Sequence, residues 1–133
     1  MCWDSLRYFQ KAEFKEDPRR VDKRLVLLMD NIRHKAGVPI VIHEAWASSG
    51  HAPKSYHYTG QADDFHFIGL DYWTQWGILS SCREIGGLGF YPDWNNPGWH
   101  LDLRPNTFRL TWLCHRHNYT YGPNVIIDFL KRE

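Results

Sequence analysis

The chain has little cysteine, almost no net charge and no long apolar run, and each shortage removes a class of protein. Its three cysteines, Cys2, Cys82 and Cys114, are odd in number and form no Cys-x-x-Cys pair, so reduced thiols are expected rather than a disulfide framework. Net charge is +1, which provides no basic field for nucleic acid; the short clusters Arg19-Arg20 and Lys131-Arg132 read as solvated ends. No stretch approaches the roughly 18 apolar residues of a membrane span, and no positively charged start leads into an apolar segment. These absences predict a protein made in the cytoplasm without a signal peptide, with no membrane span and no nucleic-acid partner. Repeats and low-complexity tracts are also missing, so residues 1–133 are expected to form one domain and to act as a monomer.

Aromatic residues, by contrast, are plentiful: seven each of Trp, Tyr and Phe, enough both to fill a core and to wall a cleft for peptide or sugar. Tyr8, Phe9 and Phe14 are expected to lie against the body. From Val21 the apolar residues Leu25, Leu28, Met29, Ile32 and Ala36 recur at helical spacing, and Gly37 with Pro39 stops the helix. Pro39–His43 reads as a buried strand, residues 47–56 as a loop, and Gln61–Ile68 as a second strand. Alternation in that strand puts Ala62, Asp64 and His66 on one face and Asp63, Phe65 and Phe67 on the other. A second helix is expected from an Asp71 cap to Glu84, ended by Gly86-Gly87. Leu88–Tyr91 and Trp99–Arg104 read as strands joined by the Pro92–Gly98 turn, and Val125–Leu130 as either a strand or a short helix. Two helices and at least four short strands, without regular βαβ alternation, predict an α+β domain with a small antiparallel sheet packed against helices.

The chemistry is concentrated in Ser55-Tyr-His57-Tyr-Thr-Gly60-Gln-Ala62-Asp-Asp64, answered later by His100-Leu-Asp102-Leu-Arg104. A hydrolytic zinc site takes three ligands from His and Asp or Glu and leaves a fourth position open. His57, Asp64 and His100 are the candidate metal ligands. Gly60 permits a tight turn between the first two, and small Ala62 leaves room on the Asp64 face. Ser55 is placed to orient a ligand by hydrogen bond. His66, on the Asp64 face, is either a fourth ligand or its neighbour, and His51 a lining residue. Cys114, His115 and His117 form a local cluster that reads as surface rather than as a second metal site, because no distant Cys/His pair answers it.

The pattern Ser-x-His-x-x-Gly-x-Ala-x-Asp, with all five defining positions present, resembles the zinc-ligand motif of the M15 peptidases. That superfamily comprises D-Ala-D-Ala carboxypeptidases and L-alanyl-D-glutamate endopeptidases and includes the hedgehog signalling domain. The order of elements is similar across nearly the whole chain, and the opening Tyr8–Phe14 before a helix and a Pro-Ile-Val-Ile strand resembles the lead-in of phage and bacterial members. The resemblance implies a hedgehog/DD-peptidase-like fold and a Zn2+ metallopeptidase that hydrolyses a peptide bond in peptidoglycan stem peptides. DD-carboxypeptidase and endopeptidase members share this ligand set. A compact member of phage or prophage type would be an endolysin, reaching the bacterial cell wall after phage-type release, or a virion-associated wall hydrolase.

The chain departs from that family twice. Many members carry an acidic general base three residues before the last zinc histidine, where this chain has Pro97. Asp102, on the face of His100, is the nearest replacement, and its other reading is an ion pair with Arg104; Asp93 and Glu44 come next. Where relatives place an arginine after the first strand, this chain has Trp46, and Arg104 is positioned to take its part on a substrate carboxylate or an oxyanion. The expected catalytic set is therefore Asp102, Arg104 and Ser55, with Tyr56, Tyr58, Trp94 and Trp99 as walls. The alternative is a non-hydrolytic, zinc-bearing binding or assembly domain on the same fold. A metal-free carbohydrate-binding module would leave the motif unexplained.

Overall fold

Leu25, Met29 and Ile32 form the fully buried stripe of helix α1 (Lys23–Ala36) in the computed structural model, which describes residues 1–132. Asp22 caps the helix by accepting the Arg24 N–H at 2.8 Å. Asp30, within α1, accepts the backbone N–H groups of Arg7, Tyr8 and Phe9, which ties the N-terminal segment to the helix. Phe9 and Phe14 are thereby buried, while Tyr8 stays exposed.

Six strands make one sheet: β1 (Ile40–Glu44), β2 (Ala62–Phe67), β3 (Gly87–Tyr91), β4 (Gly98–Asp102), β5 (Leu110–His115) and β6 (Asn118–Tyr121). Their spatial order is β1-β2-β4-β3-β5-β6, and every pair is antiparallel except β3 with β5. With α1, α2 (Tyr72–Ser80) and α3 (Val125–Arg132), this is the expected α+β fold; the Val125–Leu130 stretch is the helix of its two readings, and β5 and β6 are added strands. On one sheet face Ile40, Ile42, Phe65, Leu88, Phe90, Trp99 and Leu101 pack in a single cluster with residues of the three helices. Each such side chain contributes about 1.5–3 kcal/mol on burial. Trp99 belongs to this core, its indole N–H donating to Gln75 at 2.8 Å, so it is not a cleft wall.

Two expectations in the segment after α2 change. Helix α2 keeps its Asp71 cap but stops at Ser80 rather than Glu84, because Arg109 donates to the carbonyls of Ser80, Cys82 and Ile85 and holds that segment in turns. Gly87 accordingly opens β3 instead of ending a helix. The Cys114–His117 segment lies at the surface, as expected, and spans the β5–β6 hairpin, with Arg116 and His117 as its two-residue turn at φ 53° and 64°. Among the described residues no helix is long and apolar enough to cross a membrane.

Candidate metal centre and cleft

The strand registers line up one row across the open face of the sheet. Glu44 stands beside Asp64, Asp64 beside His100, His100 beside Gly89, Gly89 beside Trp112, and Trp112 beside Tyr121. An irregularity in β1 between Ile42 and Glu44 brings Glu44 into this row.

His57 reaches the row from a single turn of 3₁₀-helix, Tyr56–Thr59, next to β2. Ser55 caps that turn, its hydroxyl oxygen accepting the His57 N–H at 3.2 Å. Gly60 closes it at φ 71°, and a β-carbon there would lie 1.9 Å from the Arg20 carbonyl oxygen. The His57 ring is buried, and its Nδ1 donates to the Ala45 carbonyl at 2.7 Å. That bond leaves Nε2 with a free lone pair, and Nε2 is a buried atom with no hydrogen bond, 3.3 Å from Asp64 Oδ1. His100 is held in the same manner. Its Nε2 bonds Asp102 Oδ2 at 2.8 Å, and its Nδ1 faces Asp64 Oδ1 at 2.9 Å. Donor atoms of His57, Asp64 and His100 lie within 4.8 Å of one another, and the two rings meet at 70°. Each imidazole thus has one nitrogen fixed by an outer partner and the other aimed at a shared point, which is how metal-binding histidines are oriented. The structure therefore brings the three expected ligands together in a group that could hold a metal ion.

Charge at this point is already arranged for a cation. Burial pushes the Asp64 carboxyl up, but the hydrogen bond and charge of His100, with the nearby His57 ring, outweigh it and hold the group well below the usual carboxylate range. Burial pulls His100 down, yet its bonds to Asp102 and Asp64 raise it to about 9. A metal ion here would displace the proton of His100.

Asp102 is fully buried, and its carboxylate is committed. It accepts His100 Nε2, the Arg104 backbone N–H at 3.1 Å, Arg104 Nε at 2.8 Å and Arg104 Nη2 at 2.7 Å. Burial alone would raise it, but His100 and Arg104 lower it to about 2. In this position it orients His100 and anchors Arg104, whose guanidinium lies 5.1 Å from the Tyr56 ring and 5.5 Å from the Trp112 ring in the cleft wall. Strand β3 leaves room for the Asp102–Arg104 pair and for Trp112. A β-carbon on Gly87 would sit 2.5 Å from Asp102 Oδ2, and one on Gly89 would sit 2.3 Å from Trp112 Nε1.

A second pair borders the centre that strand alternation alone does not reveal. His51 stacks on His57 with centroids 4.2 Å apart and planes at 16°, and its Nε2 hydrogen bonds Glu44 Oε1. Tyr58 fixes the backbone of His51, its hydroxyl accepting the His51 N–H at 2.9 Å and donating to the His51 carbonyl at 2.7 Å. Glu44, His51 and His57 also lie close enough to share an ion. The near-parallel stack, however, sends the two imidazole lone pairs along separate planes, whereas His57 and His100 converge. The geometry favours the Asp64–His100 side.

The centre opens into a cleft of about 590 Å³ with His51, Tyr56, Tyr91, Trp94 and Trp112 among its walls. His66 is hydrogen bonded to His43 at 2.6 Å and joins no metal-ligand group among the described residues. Asp93 lies elsewhere, bonded to the Arg116 N–H and to His115. Trp46 donates to the Tyr58 carbonyl and stacks beneath Arg20. Cys114, His115 and His117 enter no group of three potential ligands among the described residues. No family model, no curated protein and no solved structure matches the chain, so the reading of the site rests on its geometry and its motif.

Proposed function

We propose that the chain is a zinc-dependent peptidase of the M15 type that hydrolyses a peptide bond in the stem peptides of peptidoglycan. The observation that carries this reading is the meeting of His57 Nε2, Asp64 Oδ1 and His100 Nδ1 at one point of an open cleft. Two imidazoles and a carboxylate are a donor set zinc accepts, with a position left over for chemistry. When bound, zinc would supply Lewis acidity at the scissile carbonyl and acidify a water beside it.

The chain's own residues divide the remaining work. Asp102 holds His100 and Arg104 in place. Arg104 presents its guanidinium to a substrate carboxylate or a developing oxyanion. With Asp102 committed, the hydrogen-bonded Glu44–His51 pair is the group placed to accept a proton and return it to the leaving amine. Ser55 acts by fixing the His57 turn. The endolysin setting follows from the motif resemblance.

A second reading, a zinc-bearing binding or assembly domain without hydrolysis, draws on Pro97 at the position of the family acid and on the engagement of Asp102. Digestion of purified peptidoglycan by zinc-loaded protein, with products identified by mass spectrometry, separates the two. New amine termini at one stem-peptide bond are expected. Sacculus binding without cleavage would support the second reading, and neither binding nor cleavage would remove both.

A further inference from the structure

We propose that a second pocket beside the metal cleft binds a carboxylate of the substrate, away from the reacting bond, through Arg116 and His117. The pocket has a volume of about 500 Å³ and shares Tyr91, Trp94 and Tyr119 with the cleft. A ligand lying over that aromatic ridge touches both spaces. The peptidic nature of the ligand rests on the peptidase reading; the charge it carries is read from the pocket itself.

Three observations point to an anion. First, the one carboxylate in the pocket wall is turned onto the hairpin, Asp93 Oδ2 accepting both the Arg116 backbone N–H at 2.6 Å and His115 Nδ1 at 3.1 Å. That anchor also locks the β3–β4 turn to the β5–β6 turn. Second, the Arg116 guanidinium makes no direct ion pair among the described residues, its charge reaching Asp93 only through space, and the His117 ring makes no hydrogen bond there, although both line the pocket. An arginine fork with free N–H groups beside apolar rings matches a carboxylate on a short aliphatic stem. Third, both residues occupy left-handed backbone positions, at φ 53° and 64°. A two-residue hairpin turn of this kind ordinarily takes Asn-Gly, which adopts positive φ without strain. Arg-His is a costly choice for the turn and a useful one for the pocket.

The test uses the full chain without added metal, so that turnover does not intervene. Two forms of one stem peptide, L-Ala-γ-D-Glu-L-Lys-D-Ala-D-Ala, differ only in whether the glutamate α-carboxylate is free or amidated. Calorimetric titration is expected to give about tenfold tighter binding of the free acid, and Arg116→Gln to bring the two forms within about twofold. The double variant Arg116→Asn/His117→Gly is expected to erase the same preference while raising the melting temperature, because it relieves the turn. Equal binding of the two forms by the unaltered protein overturns the proposal, as does a preference that persists in either variant. A lower melting temperature of the double variant would mean that folding selects Arg-His, and would also overturn it. The two readings fail separately. Charge preference without zinc uptake or cleavage removes the peptidase and keeps the pocket, and zinc with cleavage but no preference does the reverse.

Discussion

Asp102 and His100, two residues apart on one face of β4, are joined by a 2.8 Å hydrogen bond that decides which imidazole nitrogen looks toward Asp64. With Nε2 held by the carboxylate, Nδ1 is the atom left for a ligand. Asp102→Asn should therefore act on metal affinity. A lost outer partner typically costs 10–100-fold in affinity, so a chelator-competition titration is expected to show a drop of about that size in a folded protein. Unchanged affinity with a rate loss of about 10²–10⁴-fold would instead make Asp102 the proton acceptor.

Removal of the Glu44–His51 pair should give the opposite pattern. Glu44→Gln and His51→Ala are expected to keep one zinc per chain, because neither residue is among the three converging donors. Hydrolysis should fall about 10²–10⁴-fold in each. His57→Ala and His100→Ala should abolish both zinc and hydrolysis. Metal analysis beside a peptide-release assay reads all four, and full activity in His51→Ala would exclude the pair from proton transfer.

Metal uptake should depend on pH with a sign fixed by His100. Its folded value of about 9 exceeds the usual histidine value near 6.5, so the metal-free fold gains stability from the proton below pH 6.5 and loses it as pH rises through 9. A metal must displace that proton. Affinity should rise about tenfold per pH unit between roughly pH 7 and 9 and then level, with about one proton released per ion in calorimetry across buffers. A flat profile would show that His100 does not bind by the nitrogen facing Asp64.

Asp63 tests the strand register and the core together. It is fully buried, neither of its carboxylate oxygens has a partner, and burial, followed by the charge of Asp64, raises it well above the ordinary range. The folded protein thus retains a proton that the unfolded chain releases near pH 4, and stability should decline as pH rises from about 4 toward the folded value. Asp63→Leu should remove this decline and add about 1–3 kcal/mol at neutral pH, read by urea unfolding, since it replaces an unsatisfied polar group of similar shape. Zinc should be retained, whereas Asp64→Asn should weaken it strongly. Equal metal loss in both would mean that β2 presents the other face.

Much of this arrangement was legible in the chain. Period-two alternation in β2 put Asp64 and Asp63 on opposite faces, and the Gly37 and Asp71 signals marked helix ends where the fold has them. Proximity of His100 and Asp102 was readable too, but whether that carboxylate turns toward the cleft or toward the ring depends on Arg104 and on space above Gly87, which only the register reveals. The β5–β6 hairpin was hidden because its turn reads Arg-His where Asn-Gly would announce it. The end of α2 depends on Arg109, more than twenty residues away along the chain from the carbonyls it binds. The Glu44–His51 pair needs a strand irregularity and the Tyr58 clamp, neither of which has a local signature.

Gly87 and Gly89 bear on any attempt to transplant this centre. Copying His57, Asp64 and His100 onto another sheet would reproduce the ligands and omit the two vacant places that support them. An alanine at the second place would press on the Trp112 indole, which lies 5.2 Å from the His100 ring, and one at the first would crowd the carboxylate that steers it. The inheritance of such a centre is carried as much by positions where the sheet withholds a side chain as by the residues that face the ion.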